Sequence, residues 1–596
     1  MKRHVEDDVL ELECNTPLGA DAPMLQAAIK KKLGRKQAKE WGNGTFRWVV
    51  LRKSIDARKK DDVHEHWRLA LLHAEEEAPP LARLEDLPLL HEAGFSKACR
   101  SRDRRPVVVG LGPAGLFSAY LLSVAGCRPI IVEQGKPVEA RAQDVQLFWR
   151  EGTLHPWSNV QFGEGGAGTF SDGKLHTGVK SEWIRFIFDT FVQFGAPEEI
   201  RYDAHPHIGT DRLPEILAGM RQAMEALGAT FLFEHQMIGL ERNEGRIRGV
   251  RLRNLRRSEE GEPSERRLET DAVFLGIGHS SRRTYMELAE EGVPFEAKPM
   301  AVGVRIEHPQ QLIDVAQYGA ATVAAHRAVL PASTYKLTMH TANGRVVYSF
   351  CMCPGGEVIA SASAPEQVVT NGMSKYARSE YHANSALLVN ITPDDYAPLI
   401  AELEEKLKEH PAEQEPEQLR ELRRQCRRFP ALRGLLFQEM LEHLAYLEGG
   451  SDYHAPSMSV GAWMAAMGTS SVENGDPTRE RMEAPTYQPG VRETDLRRVL
   501  PHLVAEALTE ALPQFARKIH GYANAQARLY AVESRSSAPV RILRGRESRQ
   551  SEIAGLYPIG EGAGYAGGIT SSAVDGMKSA YLFLEGMAHV SGQEID

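Results

Sequence analysis

The chain has 596 residues, of which 42% are hydrophobic and 25% are charged, and its formal net charge is −9. This composition is typical of a soluble globular enzyme of several domains and excludes a disordered chain, a fibrous chain and a small disulfide scaffold. The acidic balance argues against nucleic-acid binding by the whole molecule, and six cysteines are too few for a secreted framework. Since no apolar run reaches the ~20 residues of a membrane helix, we expect a cytoplasmic protein without a membrane partner.

Residues 1–95 are predicted to form a separate small α/β domain. The pattern gives a strand at Val9–Glu13, a helix at Pro23–Leu33, a strand at Phe46–Lys53 and a strand or short helix at His66–Leu72. This order is compatible with a ferredoxin-like domain. Basic residues crowd the helical stretch and form either a solvated helix face or an RNA-binding patch: Lys30, Lys31, Lys32, Arg35, Lys36 and Lys39.

A buried strand, a glycine-rich turn and an apolar helix follow at residues 107–125. The glycines have the spacing G-x-G-x-x-G. The first permits a tight turn, the second lets the backbone approach a pyrophosphate, and the third lets helix and strand pack closely. The helix N-terminus presents its N–H groups to phosphates. The segment thus predicts a dinucleotide site at Gly110, Gly112, Pro113, Ala114 and Gly115.

An acidic residue ends the next predicted strand, Pro129–Val132. Glu133 lies 133 − 110 = 23 residues after Gly110, close to the ~20 expected for the carboxylate that binds a ribose hydroxyl. A carboxylate here favours the unphosphorylated ribose of FAD or NAD over that of NADP. Glu133 and the adjacent Gln134 are therefore predicted cofactor ligands.

A second glycine-rich loop covers residues 162–178. Its bare backbone can touch a flat ligand, and the flanking Phe162, Phe170 and Leu175 are predicted to anchor it. The candidate cofactor-binding residues of this loop are Gly165, Gly166, Gly168, Thr169, Ser171, Asp172, Gly173, Lys174 and Leu175.

A third glycine-rich segment lies near the C-terminus. A short strand at Gly555–Ile559 runs into a turn, and a helix begins near Gly568–Thr570. The segment resembles the closing motif of FAD-binding folds of the glutathione-reductase type, in which a strand-end acid binds the ribityl chain and the helix N-terminus faces the flavin. Glu561 stands where that motif usually has Asp. The predicted ligands here are Gly560, Glu561, Gly567, Gly568 and Ile569.

Two middle segments complete one FAD site. The strand Ala272–Leu275 is followed by a glycine turn that includes Gly278, and residues 232–237 resemble the strand whose following backbone meets adenine, at Gln236 or Met237. No second complete G-x-G-x-x-G follows a strand. We therefore predict FAD and no separate nicotinamide domain.

Taken together, the chain resembles the bacterial uncharacterised FAD-dependent dehydrogenases of the glutathione-reductase-like superfamily, single-Rossmann flavoproteins without an assigned substrate. The resemblance covers nearly the whole chain and implies FAD and redox chemistry. By the same resemblance, Arg141 lies near the pyrophosphate. The segments that carry it are 54–60, 162–175, 207–211, 303–309, 350–356, 533–542 and 560–576.

The predicted fold class is α/β, with a Rossmann-type FAD-binding domain split by insertions. Residues 104–300 form its first part and residues 545–596 its closing part. Residues 301–544 form a mixed α+β substrate or cap domain, with a helical insertion at about 400–447 that bends at Pro430.

Five side chains are candidates for chemistry beyond the cofactor. Cys351 and Cys353 share a strand face, so they form either a redox-active or nucleophilic thiol pair or two structural cysteines. Lys174 either stabilises reduced flavin or binds an acidic substrate, unless it contacts the pyrophosphate or solvent. Arg535 binds a substrate carboxylate or pairs with Glu533 or Glu547. His207 is a proton donor, or part of a capping loop with Thr210 and Asp211.

Two further expectations concern pairing and metals. Arg305 and Glu307 alternate on a strand and are expected to pair with each other. No second cysteine pair completes a tetrahedral zinc site, so no metal is predicted.

These features predict an FAD-dependent oxidoreductase that moves a hydride between a small-molecule substrate, or transiently bound NAD(P)H, and the flavin. Two alternatives stay open: a flavoenzyme that acts on RNA through the N-terminal domain, and a non-catalytic flavin-binding or redox-sensing protein. The sequence does not determine the oligomeric state.

Overall fold

The computed structural model describes residues 10–40, 46–73, 77–91, 99, 104–256, 264–410, 415–469 and 484–593. The strands in these ranges are β1 (Leu10–Thr16), β2 (Arg47–Asp56), β3 (His64–Leu72), β4 (Val107–Val109), β5 (Ile130–Glu133), β6 (Thr230–Phe233), β7 (His235–Asn243), β8 (Arg246–Asn254), β9 (Glu265–Glu269), β10 (Val273–Leu275), β11 (Phe295–Ala297), β12 (Met300–Pro309), β13 (Thr338–His340), β14 (Val346–Cys353), β15 (Gly356–Ala360), β16 (Thr370–Ser374), β17 (His382–Ile391), β18 (Ala455–Ser459), β19 (Val491–Glu493), β20 (Arg528–Glu533), β21 (Val540–Ile542) and β22 (Leu556–Pro558).

The α-helices in the same ranges are α1 (Ala22–Glu40), α2 (Pro113–Val124), α3 (Val138–Glu151), α4 (Trp183–Gln193), α5 (Leu213–Ala226), α6 (Arg282–Glu290), α7 (Gln310–Tyr318), α8 (Ala320–His326), α9 (Tyr396–Leu407), α10 (Glu417–Arg428), α11 (Arg433–Glu448), α12 (Val460–Ala466), α13 (His502–Ala516) and α14 (Ile569–Gln593).

The N-terminal unit is an antiparallel sheet of order β1-β3-β2 with α1 packed against it. Residues 64–72 form a strand, which settles the alternative that the sequence left open. The unit has the β-α-β-β order that begins a ferredoxin-like fold. It docks through Lys53, whose backbone exchanges hydrogen bonds with Tyr202 and Ala204. Lys30, Lys31 and Lys32 are exposed, while the side chains of Arg35, Lys36 and Lys39 lie outside the described residues.

The sheet that follows the N-terminal unit is parallel and has the order β6-β5-β4-β10-β22. Counted along the chain this is 3-2-1-4-5, the doubly wound order whose switch point lies between β4 and β10. The strands are short and wholly apolar at their centres because both faces are covered. Helix α14 packs along α2 so closely that a Cβ on Gly576 would lie 2.1 Å from the carbonyl oxygen of Ala114.

The chain leaves this sheet and returns to it through the antiparallel pair β11–β21. The expected domain boundaries at residues 300/301 and 544/545 lie beside this pair. Between the two strands lies a mixed sheet of order β13-β14-β17-β12-β20-β18-β19, with β12 buried along its whole length. The hairpin β15–β16 and the helices α9–α11 and α13 pack around it. A 3₁₀ turn, Pro430–Leu432, separates α10 from α11 at the expected bend.

Candidate functional site

The site lies where β4 and β10 end side by side in the parallel sheet. The turn after β4 begins with Gly110 (φ +88°), and a Cβ there would lie 2.3 Å from the carbonyl oxygen of Gly276, which follows β10. Only glycine allows the two turns to approach so closely. The carboxyl ends of strands at such a switch point are where open α/β sheets bind ligands.

A large cavity opens at these strand ends and extends towards the mixed sheet. It encloses about 1500 Å³, a figure that includes solvent at its mouth. The structure brings the three glycine-rich segments together around it. The predicted residues that line it are Gly110, Gly112, Pro113, Ala114, Glu133, Gln134, Gly166, Gly168, Ser171, Asp172, Lys174, Met237, Gly278, Glu561, Gly568, Ile569, Cys351 and Arg535.

Other predicted cofactor residues support the cavity wall from behind and do not line it. A Cβ on Gly115 would lie 1.9 Å from the carbonyl oxygen of Gly110, so this glycine serves the close helix packing that the motif predicts. Gly560 packs in the same way against Ala114. The residues of this supporting group are Gly115, Arg141, Gly165, Thr169, Gly173, Leu175 and Gly560. Gly567 is exposed and does not line the cavity either.

Arg141 has a different role from the expected contact with a pyrophosphate. Its guanidinium is buried and donates to the carbonyl oxygens of Asn159, Val160, Glu164 and Gly166 at 2.6–2.9 Å. Every one of these carbonyls belongs to the second glycine-rich loop or its approach. Arg141 therefore fixes the backbone of this loop, and it is not among the residues that line the cavity.

Glu133 lines the cavity and accepts hydrogen bonds from three backbone segments. Its buried carboxylate accepts hydrogen bonds from the N–H groups of Leu111 (2.8 Å), Gly135 (2.8 Å) and Gly163 (3.0 Å). A carboxylate has about four acceptor positions, so one remains for a ligand hydroxyl. The arrangement fits a ribose at this edge.

Two glycines leave open space at the wall of the cavity. Gly278 (φ +69°) and Gly568 (φ +87°) both line it, and a Cβ on either would meet no atom within 4 Å. Their missing side chains leave space that a cofactor would fill. Beside them, burial raises the pKa of Glu561 to about 7.

Cys351 reaches the cavity from the mixed sheet, and Cys353 lies buried behind it. The ammonium of Lys174 lies 3.4 Å from Asp172 and has no hydrogen-bond acceptor among the described residues. Asp172 in turn is held by the guanidinium of Arg378, which donates to both carboxylate oxygens.

Arg535 lines the cavity, but its guanidinium is already occupied. It donates to both oxygens of Glu442, at 2.7 and 3.0 Å, and to Ser280, Ser363 and Gln367. Burial opposes ionisation of Glu442, yet the guanidiniums of Arg282 and Arg535 outweigh it and lower the pKa of this carboxyl. The expected pairing with Glu533 or Glu547 is wrong, since the partner is Glu442. No donor of Arg535 is left for a substrate carboxylate.

The expected pairing of Arg305 with Glu307 is wrong. Arg305 pairs with Glu533 through two hydrogen bonds of 2.9 and 3.0 Å, and Glu307 contacts Thr486 and Tyr530 instead. Arg305 and Glu307 share a face of β12, but they bond to different residues and not to each other.

His207 lies outside the cavity. Its ring stacks on Tyr376 and bonds the carbonyl oxygen of that residue at 2.9 Å. Asp211 accepts the N–H of Tyr376, and α5 begins after Arg212 without a side-chain cap, so the expected helix cap is wrong. This loop holds the segment around Tyr376, and His207 has no access to a ligand in the cavity.

Several lining residues were not predicted. The mixed sheet contributes Phe350 and Glu533, the β15–β16 hairpin contributes Asn371, the segment after β20 contributes Ser536, and the loop before the glycines contributes Gln161. Glu533 and Phe350 lie in segments that carried the resemblance, which was the available signal. No sequence signal indicated Asn371, because its position depends on how the β15–β16 hairpin packs against the mixed sheet.

The turns and the cavity define a dinucleotide-binding protein, and comparison with known families makes this specific. The family described as "FAD-dependent protein, C-terminal domain-like" matches residues 299–536. A protein of Clostridium beijerinckii, described as "Uncharacterized protein", is 37% identical over 577 residues, which are 96% of this chain and 97% of that protein. The chain belongs to the same family as this protein. It is an FAD-dependent protein, and its cofactor is FAD.

Solved structures give a more distant likeness. The glycerol-3-phosphate dehydrogenase from Bacillus halodurans complexed with FAD is 12% identical over 50% of each chain, with a TM-score of 0.25. The E. coli quinol fumarate reductase FrdA is 11% identical over 83% of this chain and 71% of that chain, with a TM-score of 0.30. At such scores the likeness supports no shared substrate. Within the described residues, we find no helix with the length and apolar character needed to cross a bilayer.

Proposed function

We propose that this FAD-dependent protein is an oxidoreductase that moves an electron pair between a small-molecule substrate and its bound FAD. The observation that carries the proposal is that residues from two different parts of the fold line the same cavity. The dinucleotide-binding turns, at Gly112 and Glu133, form one end. Polar groups of the mixed sheet and of the hairpin packed on it, at Glu533 and Asn371, form the other. A cofactor held by the first wall would therefore have its reactive end beside the second.

The residues that would hold FAD follow from this order. The N–H groups at the start of α2 would bind the pyrophosphate, and Glu133 the adenosine ribose. The backbone at Gln236 and Met237 would meet the adenine, and Glu561 the ribityl chain. The N-terminus of α14, at Gly568 and Ile569, would face the flavin ring.

When bound, FAD supplies the hydride and electron chemistry, and the protein supplies placement and electrostatics. The N-terminus of α14 carries partial positive charge, which favours the negative charge that collects on a reduced ring. The ammonium of Lys174 is a second source of positive charge at the cavity wall. The mixed sheet would form one wall of the space around the bound cofactor and reduce its contact with water.

The electron donor is proposed to be an organic metabolite or transiently bound NAD(P)H, and the acceptor a second small molecule. The test is anaerobic titration of the purified, FAD-loaded protein with NADH, NADPH and a metabolite panel. Free FAD at the same concentration serves as the control for uncatalysed reduction. We expect at least one compound to bleach the flavin absorbance of the protein faster than that of free FAD. If none does so, the chain is a flavin-binding or sensor protein instead.

A further inference from the structure

A bulge in β14 brings two cysteines to the cavity end of the strand. Phe350 pairs with Ala386 and Cys353 pairs with Asn384. Between these two pairs β14 advances by three residues and β17 by two, so β14 carries one extra residue. Cys351 lies within this bulge and has φ +44°. A left-handed conformation is uncommon for a residue other than glycine, and such strain is typical of functional positions.

The two thiols are close enough to interact directly. The thiol of Cys353 donates to the carbonyl oxygen of Cys351 at 3.3 Å, and only Met352 separates the two cysteines in the bulge. Both are free thiols in this structure. The bulge therefore presents them as a pair, with Cys351 towards the cavity and Cys353 behind it.

Charged groups around the pair favour a thiolate at Cys351. The hydrogen bond from Cys353 lowers the pKa of Cys351, burial opposes this, and the cations Lys174 and Arg305 lower it further. The same contact raises the pKa of Cys353. The carboxylates of Asp172, Glu533 and Glu561 also face Cys351 and act in the opposite direction.

The backbone of the bulge is held by a cation from β12, which β17 separates from β14 in the sheet. Arg305 donates to the carbonyl oxygen of Cys351 at 3.2 Å and to Asn384 at 2.7 Å, while Glu533 fixes the other side of its guanidinium. This anchors Cys351 at the cavity wall that it shares with Gly568 and Ile569.

We propose that Cys351 and Cys353 form a dithiol–disulfide couple that exchanges an electron pair with the bound FAD. This inference rests on the proposed function. Closure of the S–S bond removes two electrons from the sulfurs. Cys353 releases its thiol proton, and Cys351 has already lost its own. The electron pair would pass to FAD, together with the proton from Cys353 and one from solvent. The reverse transfer reopens the disulfide and restores the thiols.

The first test examines the chemical state of the pair in the FAD-loaded wild-type protein. The protein is equilibrated anaerobically with mixtures of reduced and oxidised dithiothreitol, acid-quenched, alkylated with N-ethylmaleimide and mapped by mass spectrometry. We expect the peptide with both cysteines to change from doubly alkylated to an unalkylated form that has lost two hydrogens. Cys426, buried in α10, is the internal control and should stay a thiol. A pair that remains alkylated throughout the series would overturn the proposal.

The second test counts electrons. Oxidised protein is titrated with dithionite while the flavin absorbance is followed. We expect the wild type, and the control Cys426→Ser, to take up about four electrons per FAD, and Cys351→Ser/Cys353→Ser to take up about two. About two electrons in every protein would overturn the dithiol couple and leave the proposed function intact. Absence of bound FAD from all of them would overturn both.

Discussion

Arg305 donates a hydrogen bond of 3.2 Å to the backbone carbonyl of Cys351, from a guanidinium that Glu533 holds through two further bonds. The donor lies on β12 and the acceptor on β14, and β17 separates the two strands in the sheet. The conformation of the bulge thus depends on a buried ion pair two strands away.

Removal of one partner of this pair should be more harmful than removal of both. Arg305→Met would leave the Glu533 carboxylate buried without its cation, and we expect a loss of about 3–5 kcal/mol in the free energy of unfolding. Arg305→Met/Glu533→Leu should lose less, because no uncompensated charge remains. Urea unfolding of the wild type and the variants measures these free energies.

The control for this pair is an exposed one. Glu405 and Lys408 form an ion pair on α9 and the residue after it, with side chains 72% and 68% exposed. Glu405→Gln should leave the unfolding midpoint unchanged. If the losses of Arg305→Met and Glu533→Leu simply add in the double variant, the two side chains are not coupled.

Two helical glycines should respond in opposite ways to the same substitution. A Cβ on Gly115 would lie 1.9 Å from the carbonyl oxygen of Gly110, whereas one on Gly586 would meet nothing within 4 Å. Gly115→Ala should push α2 away from the turn, cost about 1–3 kcal/mol and weaken FAD binding about tenfold or more. Gly586→Ala should stabilise α14 by about 0.5–1 kcal/mol.

Thermal unfolding and fluorescence titration with FAD measure these two effects. Equal FAD affinity in Gly115→Ala and Gly586→Ala would show that close packing of α2 against the turn is not needed for the site.

Local spacing predicted which glycine-rich segments meet at the cavity. The glycines at 110, 112 and 115, the acid at 133 and the segment at 560–569 lie in contiguous motifs, and each motif includes residues that line the cavity. Such motifs are readable because a strand, a turn and a helix that are adjacent in sequence stay adjacent in space.

The pairings beside the mixed sheet could not be predicted in this way. Arg305 and Glu533 are 228 residues apart, and the partner of Arg535 lies on α11, 93 residues away. Both pairings depend on how the mixed sheet is assembled. Arg141 was placed at the pyrophosphate because its distance from Glu133 fits similar proteins, but sequence distance does not show which side of a loop a side chain takes.

The acidity of Cys351 should depend on its neighbour. Because the Cys353 hydrogen bond is the main cause of the lowered pKa of Cys351, Cys353→Ala should raise that pKa towards the ordinary ~8.5. Cys353→Ser keeps a donor and should stay closer to the wild type. Alkylation reacts with the thiolate, so the wild-type rate should already be near its plateau at neutral pH. The rate in Cys353→Ala should keep rising with pH up to about 8–9.

The measurement is the rate of iodoacetamide addition to Cys351 between pH 5 and pH 9, followed on its peptide by mass spectrometry. Superimposable profiles for the wild type and Cys353→Ala would show that the hydrogen bond does not set the acidity of Cys351.

The central claim is that FAD occupies the cavity where the glycine-rich segments meet, and two matched glycines test it most directly. Gly278 and Gly468 both have φ +69°, and a Cβ on either would meet no atom within 4 Å, but only Gly278 is among the residues that line this cavity. Leucine therefore brings the same backbone strain at both positions.

The FAD content of each purified protein is measured by heat release and absorbance. We predict about one FAD per chain for the wild type and Gly468→Leu, and less than about one tenth of that for Gly278→Leu. Full FAD content in Gly278→Leu would contradict the account.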